Sequence, residues 1–217
     1  MNNNIDINQD ITITIFNTNG LEKQTINTIT STLSTTTLLF LTETWLLAPS
    51  RIPTTWTQHH TYGKKVDNSY RGSMGTSLLI HPDCPYPVTI LPNSSPYILS
   101  CQVAGYLIHC LYLPPPGHGT LSDVEAIEIM SQLPLTTNHN QNGTIICGDI
   151  NARNKQLLGD KKDTNRGLYL NNFMIENGFQ CLNSTYAYGE PTFIKQDNTG
   201  RLYTSIIDLF LCNEPLD

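Results

Sequence analysis

The fold can be inferred outward from the stretch Ile145-Ile146-Cys147-Gly148-Asp149-Ile150-Asn151-Ala152. Its apolar, largely β-branched run is typical of a buried strand, and the run ends in two polar residues. Because side chains alternate faces along a strand, we expect Asp149 and Asn151 to point the same way, with Ile145 and Cys147 behind them. A carboxylate and a carboxamide side by side at a strand end can both contact one phosphate or one metal-bound water.

Length and composition favour one large globular domain. The chain has 217 residues, of which 39% are hydrophobic and only 14% are charged, so the predicted surface is rich in Ser, Thr, Asn and Gln. The net charge of −6 argues against a general nucleic-acid coat protein, but not against an enzyme that holds phosphate locally through a metal. We expect a flexible tail at residues 1–10 and a single, monomeric domain at residues 11–217.

The six cysteines show no CxxC spacing and lie mostly in apolar runs, which favours reduced, buried thiols. The N-terminus lacks the features of a signal peptide, and no apolar run approaches the length needed to span a membrane. The expected location is therefore intracellular, nuclear or cytoplasmic, without secretion or a membrane partner.

Two N-terminal strands end near polar side chains. Residues 11–17 alternate and place Asn17 on the face of the preceding isoleucines, although an Asn that merely begins the next turn is the alternative. Residues 38–45 form a second strand, in which Leu39, Leu41 and Glu43 are expected to share one side. An acid that continues an apolar face needs a partner or a metal. Equally, the strand can end at Leu41 and leave Glu43 in solvent.

Periodicity, caps and turn residues predict the remaining elements, in chain order a helix at 21–33, a loop at 46–73, a strand at 75–81, an antiparallel pair at 97–101 and 105–113, and helices at 122–133 and 166–177. Tyr112 closes the second strand of that pair, where packing is the common role of a tyrosine. A last strand at 205–212 carries Asp208, which is expected to share a face with Ile206 and Phe210. A buried carboxylate in such a run needs partners.

Five of the twelve cations lie within fourteen residues after Asn151: Arg153, Lys155, Lys161, Lys162 and Arg166. A solvated loop explains this cluster adequately. Because it directly follows the Asp-x-Asn stretch, it also suits contact with a nucleic-acid backbone.

Six polar residues interrupt or end the apolar strands, which indicates a cleft at one rim of a sheet: Asn17, Glu43, Tyr112, Asp149, Asn151 and Asp208. With its flanking motifs, the chain resembles the endonuclease/exonuclease/phosphatase superfamily, and within it the apurinic-endonuclease-like endonuclease domains of non-LTR retrotransposons. The matching segments span residues 11–213: Phe16-Asn17-Thr18-Asn19-Gly20-Leu21, Thr42-Glu43-Thr44-Trp45, Tyr112-Leu113-Pro114-Pro115, Gly148-Asp149-Ile150-Asn151-Ala152, Pro191-Thr192-Phe193 and Ser205-Ile206-Ile207-Asp208.

The resemblance implies an α/β fold, a four-layer α/β/β/α sandwich of two mixed β-sheets flanked by helices. It also implies hydrolysis of DNA phosphodiesters with Mg²⁺, or alternatively Mn²⁺, by a domain of a retrotransposon-derived protein. The site residues that it implies are Glu43 as metal ligand with Asn17 beside it, Asp149 as activator of water, Asn17, Asn151 and Tyr112 as phosphate contacts, Thr192 as support, and Asp208 as the acid that orients a catalytic histidine.

The sequence departs from the family pattern at its end. The family's last strand carries Ser-Asp-His, whereas no Asp-His dipeptide occurs in these 217 residues. We therefore expect a domain truncated before that strand, with the catalytic histidine missing and activity reduced. Two alternatives stay open: a catalytically dead remnant that folds or binds nucleic acid, and a phosphatase or phosphodiesterase of the same fold acting on small or lipid phosphoesters.

Overall fold

The computed structural model describes residues 10–21, 23–33, 35–68, 72–92, 95–117, 121–135 and 142–214. The predicted tail at 1–10 lies, apart from Asp10, outside these residues. The strands are β1 (Ile13–Asn17), β2 (Leu38–Thr42), β3 (Thr57–Thr61), β4 (Lys64–Lys65), β5 (Gly72–Ser73), β6 (Thr76–Ile80), β7 (Thr89–Ile90), β8 (Ile98–Val103), β9 (Tyr106–Tyr112), β10 (Gly143–Asp149), β11 (Gln180–Cys181), β12 (Phe193–Gln196), β13 (Leu202–Ser205) and β14 (Asp208–Cys212). The helices are α1 (Lys23–Thr32), α2 (Asp123–Ser131), α3 (Lys155–Leu158), α4 (Asn165–Asn177) and α5 (Leu182–Tyr186).

Two mixed sheets carry the architecture. The first has the order β1-β2-β6-β3, with β1 parallel to β2. The second has the order β11-β14-β10-β9-β8-β7, with β10 parallel to β9 and antiparallel to β14. Because β1, β2, β9 and β10 end where β14 begins, five strand ends meet at one rim.

Helices cover the outer faces of both sheets, so the predicted four-layer sandwich is confirmed. One outer core joins α1 to the first sheet through Ile26, Ile29, Leu39, Leu41 and Leu79. The core between the sheets includes Phe40, Leu78, Ile108, Ile145 and Cys147. The other outer core joins α2 and α4 to the second sheet through Ala126, Met130, Leu170, Phe173 and Leu209.

Local signals in the sequence correctly predicted several boundaries. Ser122 and Glu125 form the expected capping box at the start of α2. Gly178 ends α4 in the left-handed conformation, with φ +69°.

All six cysteines are free, and all except the half-buried Cys84 are buried. None of the helices that the structure describes is long and apolar enough to cross a membrane.

The predicted loop at 46–73 is wrong in part, because it contains β3 and the short pair β4–β5. Strand β3 has the sequence Thr-Gln-His-His-Thr and lies at an edge of the first sheet. Its side chains are polar and no apolar alternation marks it, so its pairing with β6 could not be read locally.

Candidate active site

Strand register delivers Asp149 and Asp208 to the rim as neighbours. Asp149 is the last residue of β10 and pairs with Asp208, the first residue of β14. Asp149 is only 2% exposed and continues the face of Ile145 and Cys147, as predicted. Burial raises the pKa of the Asp149 carboxyl well above its usual range, and the nearby Asp208 charge raises it further.

Glycine at position 148 is required by the approach of β9. Gly148 has φ +127°, a conformation that L side chains rarely adopt, and a Cβ atom there would overlap the backbone carbonyl of Leu111. The strand that carries Asp149 can therefore lie against β9 only with glycine at this position.

Glu43 lies at the rim, one residue beyond the end of β2. Strand β2 ends at Thr42, and Glu43 has a left-handed backbone with φ +50°. The expectation that Glu43 shares a side with Leu39 and Leu41 is wrong: those leucines pack toward α1, whereas the Glu43 carboxylate accepts a hydrogen bond from Asn17. The left-handed residue breaks the strand alternation and turns the carboxylate toward the other sheet.

The carboxamide of Asn17 joins the two sheets. Its Nδ2 donates to Glu43 Oε1 at 2.9 Å and to Asp149 Oδ2 at 2.8 Å. Its Oδ1 accepts from the backbone N–H of Asn19 at 2.9 Å, which fixes the orientation of the amide. As placed, Asn17 therefore separates two carboxylates with a hydrogen-bond donor.

Tyr112 lies at the end of β9, next to the same carboxylates. It is 7% exposed and lies close enough to Glu43 for that carboxylate to shift the pKa of its phenol. Burial, followed by the charge of Glu43, raises the pKa of the Tyr112 phenol far above its usual value. Tyr112 therefore stays protonated and can donate a hydrogen bond.

Asn151 lies beyond the end of β10, in a left-handed conformation with φ +53°. Its backbone N–H donates to Asp149 Oδ1 at 3.2 Å, and its Nδ2 donates to the carbonyl of Leu113 at 3.1 Å. The turn thus keeps Asn151 beside Asp149, although β10 ends at Asp149 and Asn151 lies two residues beyond the strand.

Two side chains clamp Asp208. The Thr192 hydroxyl accepts from the backbone N–H groups of Ile207 and Asp208, both at 3.0 Å. Asn183 of α5 donates to the Asp208 carbonyl at 3.1 Å and accepts from the N–H of Phe210 at 2.9 Å, so its carboxamide continues the ladder beyond β11. Sequence reasoning missed Asn183, because no local pattern links it to a strand 25 residues away.

The predicted face of Asp208 is half correct. Phe210 packs in the core between the sheets, but Ile206 packs in the outer core beside α4. The reason is that β13 ends at Ser205 and β14 begins at Asp208, so the alternation is broken between them.

Two of the five clustered cations are structural, which corrects the expectation that the cluster as a whole suits a nucleic-acid backbone. Arg153 binds Asp160 and the carbonyl of Thr204. Arg166 is fully buried and is paired with Asp123. The exposed members are Lys155, Lys161 and Lys162.

The rim opens into a cleft of about 700 Å³ between the edge of the first sheet and the β12–β13 hairpin. The lining includes Asn17, Glu43, Thr192, Lys195 and Asp208. Among the described residues, none of those that line the cleft is a histidine.

The donor set fits a hard divalent cation. Glu43 and Asp149 both accept a hydrogen bond from the same nitrogen of Asn17, so their carboxylate oxygens lie close together. Oxygen ligands of this kind are the ones that Mg²⁺ and Mn²⁺ prefer. In the part of the chain that the structure describes, no three His, Cys, Asp or Glu side chains are grouped to hold a metal.

A four-layer sandwich with acidic and amide side chains gathered at one rim defines the endonuclease/exonuclease/phosphatase class. A sequence profile described as "Endonuclease-reverse transcriptase" matches residues 106–217, more than half of the chain. The chain belongs to this family, and the resemblance inferred from its motifs is confirmed. A search of curated proteins found no significant match.

Solved structures share the fold. The endonuclease domain of TRAS1, a telomere-specific non-LTR retrotransposon, is 17% identical with a TM-score of 0.67, and the match covers 94% of this chain and 86% of that one. An AP endonuclease from Archaeoglobus fulgidus is 11% identical with a TM-score of 0.66, covering 94% and 87%. The 3′ phosphatase NExo from Neisseria, bound to a product DNA hairpin, is 14% identical with a TM-score of 0.61, covering 95% and 87%.

Proposed function

We propose that the rim cleft hydrolyses phosphodiester bonds in DNA with Mg²⁺, or alternatively Mn²⁺. The observation that carries this proposal is the hydrogen-bonded group of Asn17, Glu43 and Asp149: Asn17 and Glu43 line the open cleft, and the Asn17 amide joins Glu43 to the buried Asp149 of the other sheet. A pair of carboxylates of this kind can take part in catalysis when it binds a metal cation.

The proposed roles follow from position. Glu43 is the cation ligand, with Asn17 beside it, and the bound cation supplies charge neutralisation on the phosphoryl oxygens. Asp149 takes a proton from the attacking water. Tyr112 and Asn151 donate hydrogen bonds to the phosphate.

Asp208 orients the reacting groups beside Asp149, and Thr192 holds it in place. The amide of Asn17 can also contact the phosphate once the carboxylates are shared with a cation.

The β12–β13 hairpin favours DNA over a small phosphoester. Directly paired residues share a face, so Phe193, Lys195 and Tyr203 lie on one face of the hairpin, and the Arg201 guanidinium lies 5.2 Å from the Tyr203 ring. Phe193 and Lys195 also line the cleft. Cations beside exposed aromatic rings suit a nucleic acid, which offers both phosphates and bases.

We further propose that turnover by these 217 residues is slow. The described cleft has no imidazole, and a missing general acid–base group typically lowers rate by about 10²–10⁴-fold. A chain that binds cation and DNA without cutting is therefore the main alternative.

The test is nicking of supercoiled plasmid by the purified chain with Mg²⁺, Mn²⁺ or EDTA. We expect slow, cation-dependent nicking that Glu43→Gln and Asp149→Asn abolish and the exposed control Glu176→Gln preserves. Plasmid binding without nicking would support the inactive alternative. Hydrolysis of inositol phosphates without nicking would support the small-phosphoester alternative.

A further inference from the structure

The segment that carries Glu43 has an unusual backbone. Both Glu43, with φ +50°, and Trp45, with φ +53°, are non-glycine residues in the left-handed region. This conformation is unfavourable for residues with a Cβ, and it persists only where the surroundings impose it. The left-handed turn directs the Glu43 carboxylate into the cleft. The contacts that impose this turn therefore also determine the geometry of the site.

Two neighbouring loops grip the backbone of this segment. The carbonyl of Glu43 accepts hydrogen bonds from the N–H of Gly20 at 2.8 Å and from the hydroxyl of Thr18 at 2.9 Å. The N–H of Trp45 donates to the carbonyl of Met74 at 2.8 Å. Hydrogen bonds therefore hold the segment from both sides.

The indole ring of Trp45 also helps to hold this segment in place. Gly20 has φ +93°, and a Cβ atom on it would overlap the indole ring, so the ring lies directly on the glycine backbone. On the other side, a Cβ atom on Gly72 would overlap the Trp45 carbonyl, and one on Gly75 would lie 2.8 Å from the Thr44 hydroxyl. Three glycines thus leave the space into which Thr44 and Trp45 fit.

We propose that Trp45 is a positioning residue for Glu43: its indole, seated on Gly20, holds Glu43 in the left-handed conformation that turns the carboxylate into the cleft. The part of this inference that concerns a cation rests on the proposed function. The part that concerns the Glu43–Asn17 contact does not. The Asn17 amide donates to Glu43, so a change in the Glu43 backbone is expected to reach Asn17 through that hydrogen bond.

A glycine pair provides the matched test. Gly20→Ala places a Cβ into the Trp45 ring at φ +93°, whereas Gly117→Ala has the same backbone penalty at φ +94° with nothing within 4 Å. Trp45→Leu removes the ring directly, and Trp45→Phe keeps a flat ring as the conservative rescue.

The first readout needs no cation. In ¹H–¹⁵N NMR spectra of the full chain, the side-chain NH₂ signals of Asn17 report its hydrogen bond to Glu43, and Glu43→Gln calibrates their shift. We expect Gly20→Ala and Trp45→Leu to move these signals in the direction set by Glu43→Gln, and Trp45→Phe and Gly117→Ala to leave them near the parent positions. Asn17 signals that stay unchanged in a folded Trp45→Leu variant would overturn the proposal.

The second readout is Mn²⁺ affinity by electron paramagnetic resonance. We expect Trp45→Leu and Gly20→Ala to weaken Mn²⁺ binding by about 10-fold or more, the usual effect of losing a residue that orients a ligand. Combining Trp45→Leu with Glu43→Gln should weaken it no further than Glu43→Gln alone; an additive loss would count against action through Glu43. A parent chain that binds no Mn²⁺ would refute the proposed cation role of Glu43, while the Asn17 signals would still decide the role of Trp45.

Discussion

Asp149 and Glu43 reach the same hydrogen-bonded group around Asn17 by two different routes. Asp149 is delivered by strand register: it ends β10, continues the face of Ile145 and Cys147, and is buried between neighbouring strands. Glu43 is delivered by a left-handed turn after β2, and it stays partly exposed.

The two carboxylates depend on different structural conditions for their placement. The carboxylate placed by register lies between two paired strands, so it is desolvated and its surroundings tolerate little change. A carboxylate placed by a loop depends on a backbone conformation that other loops must hold. Variants on the two sides of the site should therefore fail in different ways.

The largest effect is expected at Arg166, which holds the Asp149 side. Its Nη1 donates to the carbonyls of Leu113, Pro114 and Ile150, and its Nε donates to Asp123. Arg166→Met leaves those acceptors buried and unpaired, so we expect a loss of about 3–5 kcal/mol in the free energy of unfolding.

Urea denaturation measures the Arg166→Met effect, with the exposed Lys162→Met as a control that should change the free energy of unfolding by less than about 0.5 kcal/mol. A loss below about 1 kcal/mol at Arg166 would mean that water replaces the guanidinium and that the loops after β9 and β10 need no buried cation.

The next effect is expected at Gly148. Gly148→Ala adds a Cβ atom that overlaps the backbone of Leu111, at a φ of +127°. Because the obstacle is backbone and cannot rotate away, we expect a loss of about 3 kcal/mol in the free energy of unfolding. Gly178→Ala, at φ +69° with nothing within 4 Å, adds a Cβ atom at a positive φ without an overlap and should cost about 1 kcal/mol. Equal losses in the two variants would show that β9 and β10 can separate.

A smaller, pH-dependent effect is expected from the Asp149 carboxyl. Its pKa in the folded protein is raised by burial and by Asp208, so the folded state binds a proton more tightly than the unfolded state. The ionised carboxyl therefore lowers stability as pH rises above the ordinary aspartate pKa, and stability returns as pH falls.

Asp149→Asn removes this titration. In EDTA, we expect the variant to be more stable than the parent at pH 7, by on the order of 1 kcal/mol, with the gain shrinking toward pH 4. Thermal unfolding across that range measures it. A gain that does not depend on pH would assign the effect to the Asn17 hydrogen bond rather than to charge.

The sequence predicted what local periodicity and caps encode. Alternation placed Asp149 on the inner face, the capping box placed α2, and the strand ending in Asn17 was read correctly. These features depend on neighbours within a few residues, so the residue pattern carries them.

Of the two directions that the sequence left open for Glu43, the one that it would share with Leu39 and Leu41 is wrong, and the backbone contacts of the segment that follows β2 come from Gly20 and Gly75, which lie on separate loops. The burial of Arg166 was missed for the same reason: its carbonyl partners at Leu113 and Pro114 lie more than 50 residues away. Whether a charged residue is a solvated side chain or an internal tie depends on which loops meet around it.

The smallest effect is expected at Glu43 itself. Glu43→Gly removes the hydrogen bond from Asn17 but relieves the left-handed backbone at φ +50°, and it also removes a charge that raises the pKa of Asp149. These effects oppose one another, so we expect the free energy of unfolding to change by less than about 0.5 kcal/mol. Thr42→Gly, one residue earlier in the buried strand, should cost more than about 1 kcal/mol. Urea denaturation of the two variants decides whether the strained turn or the carboxylate contacts dominate the effect of Glu43 on stability. If Glu43→Gly lowers the free energy of unfolding as much as Thr42→Gly does, the carboxylate contacts stabilise the rim, and Glu43 is not held there at a cost in stability.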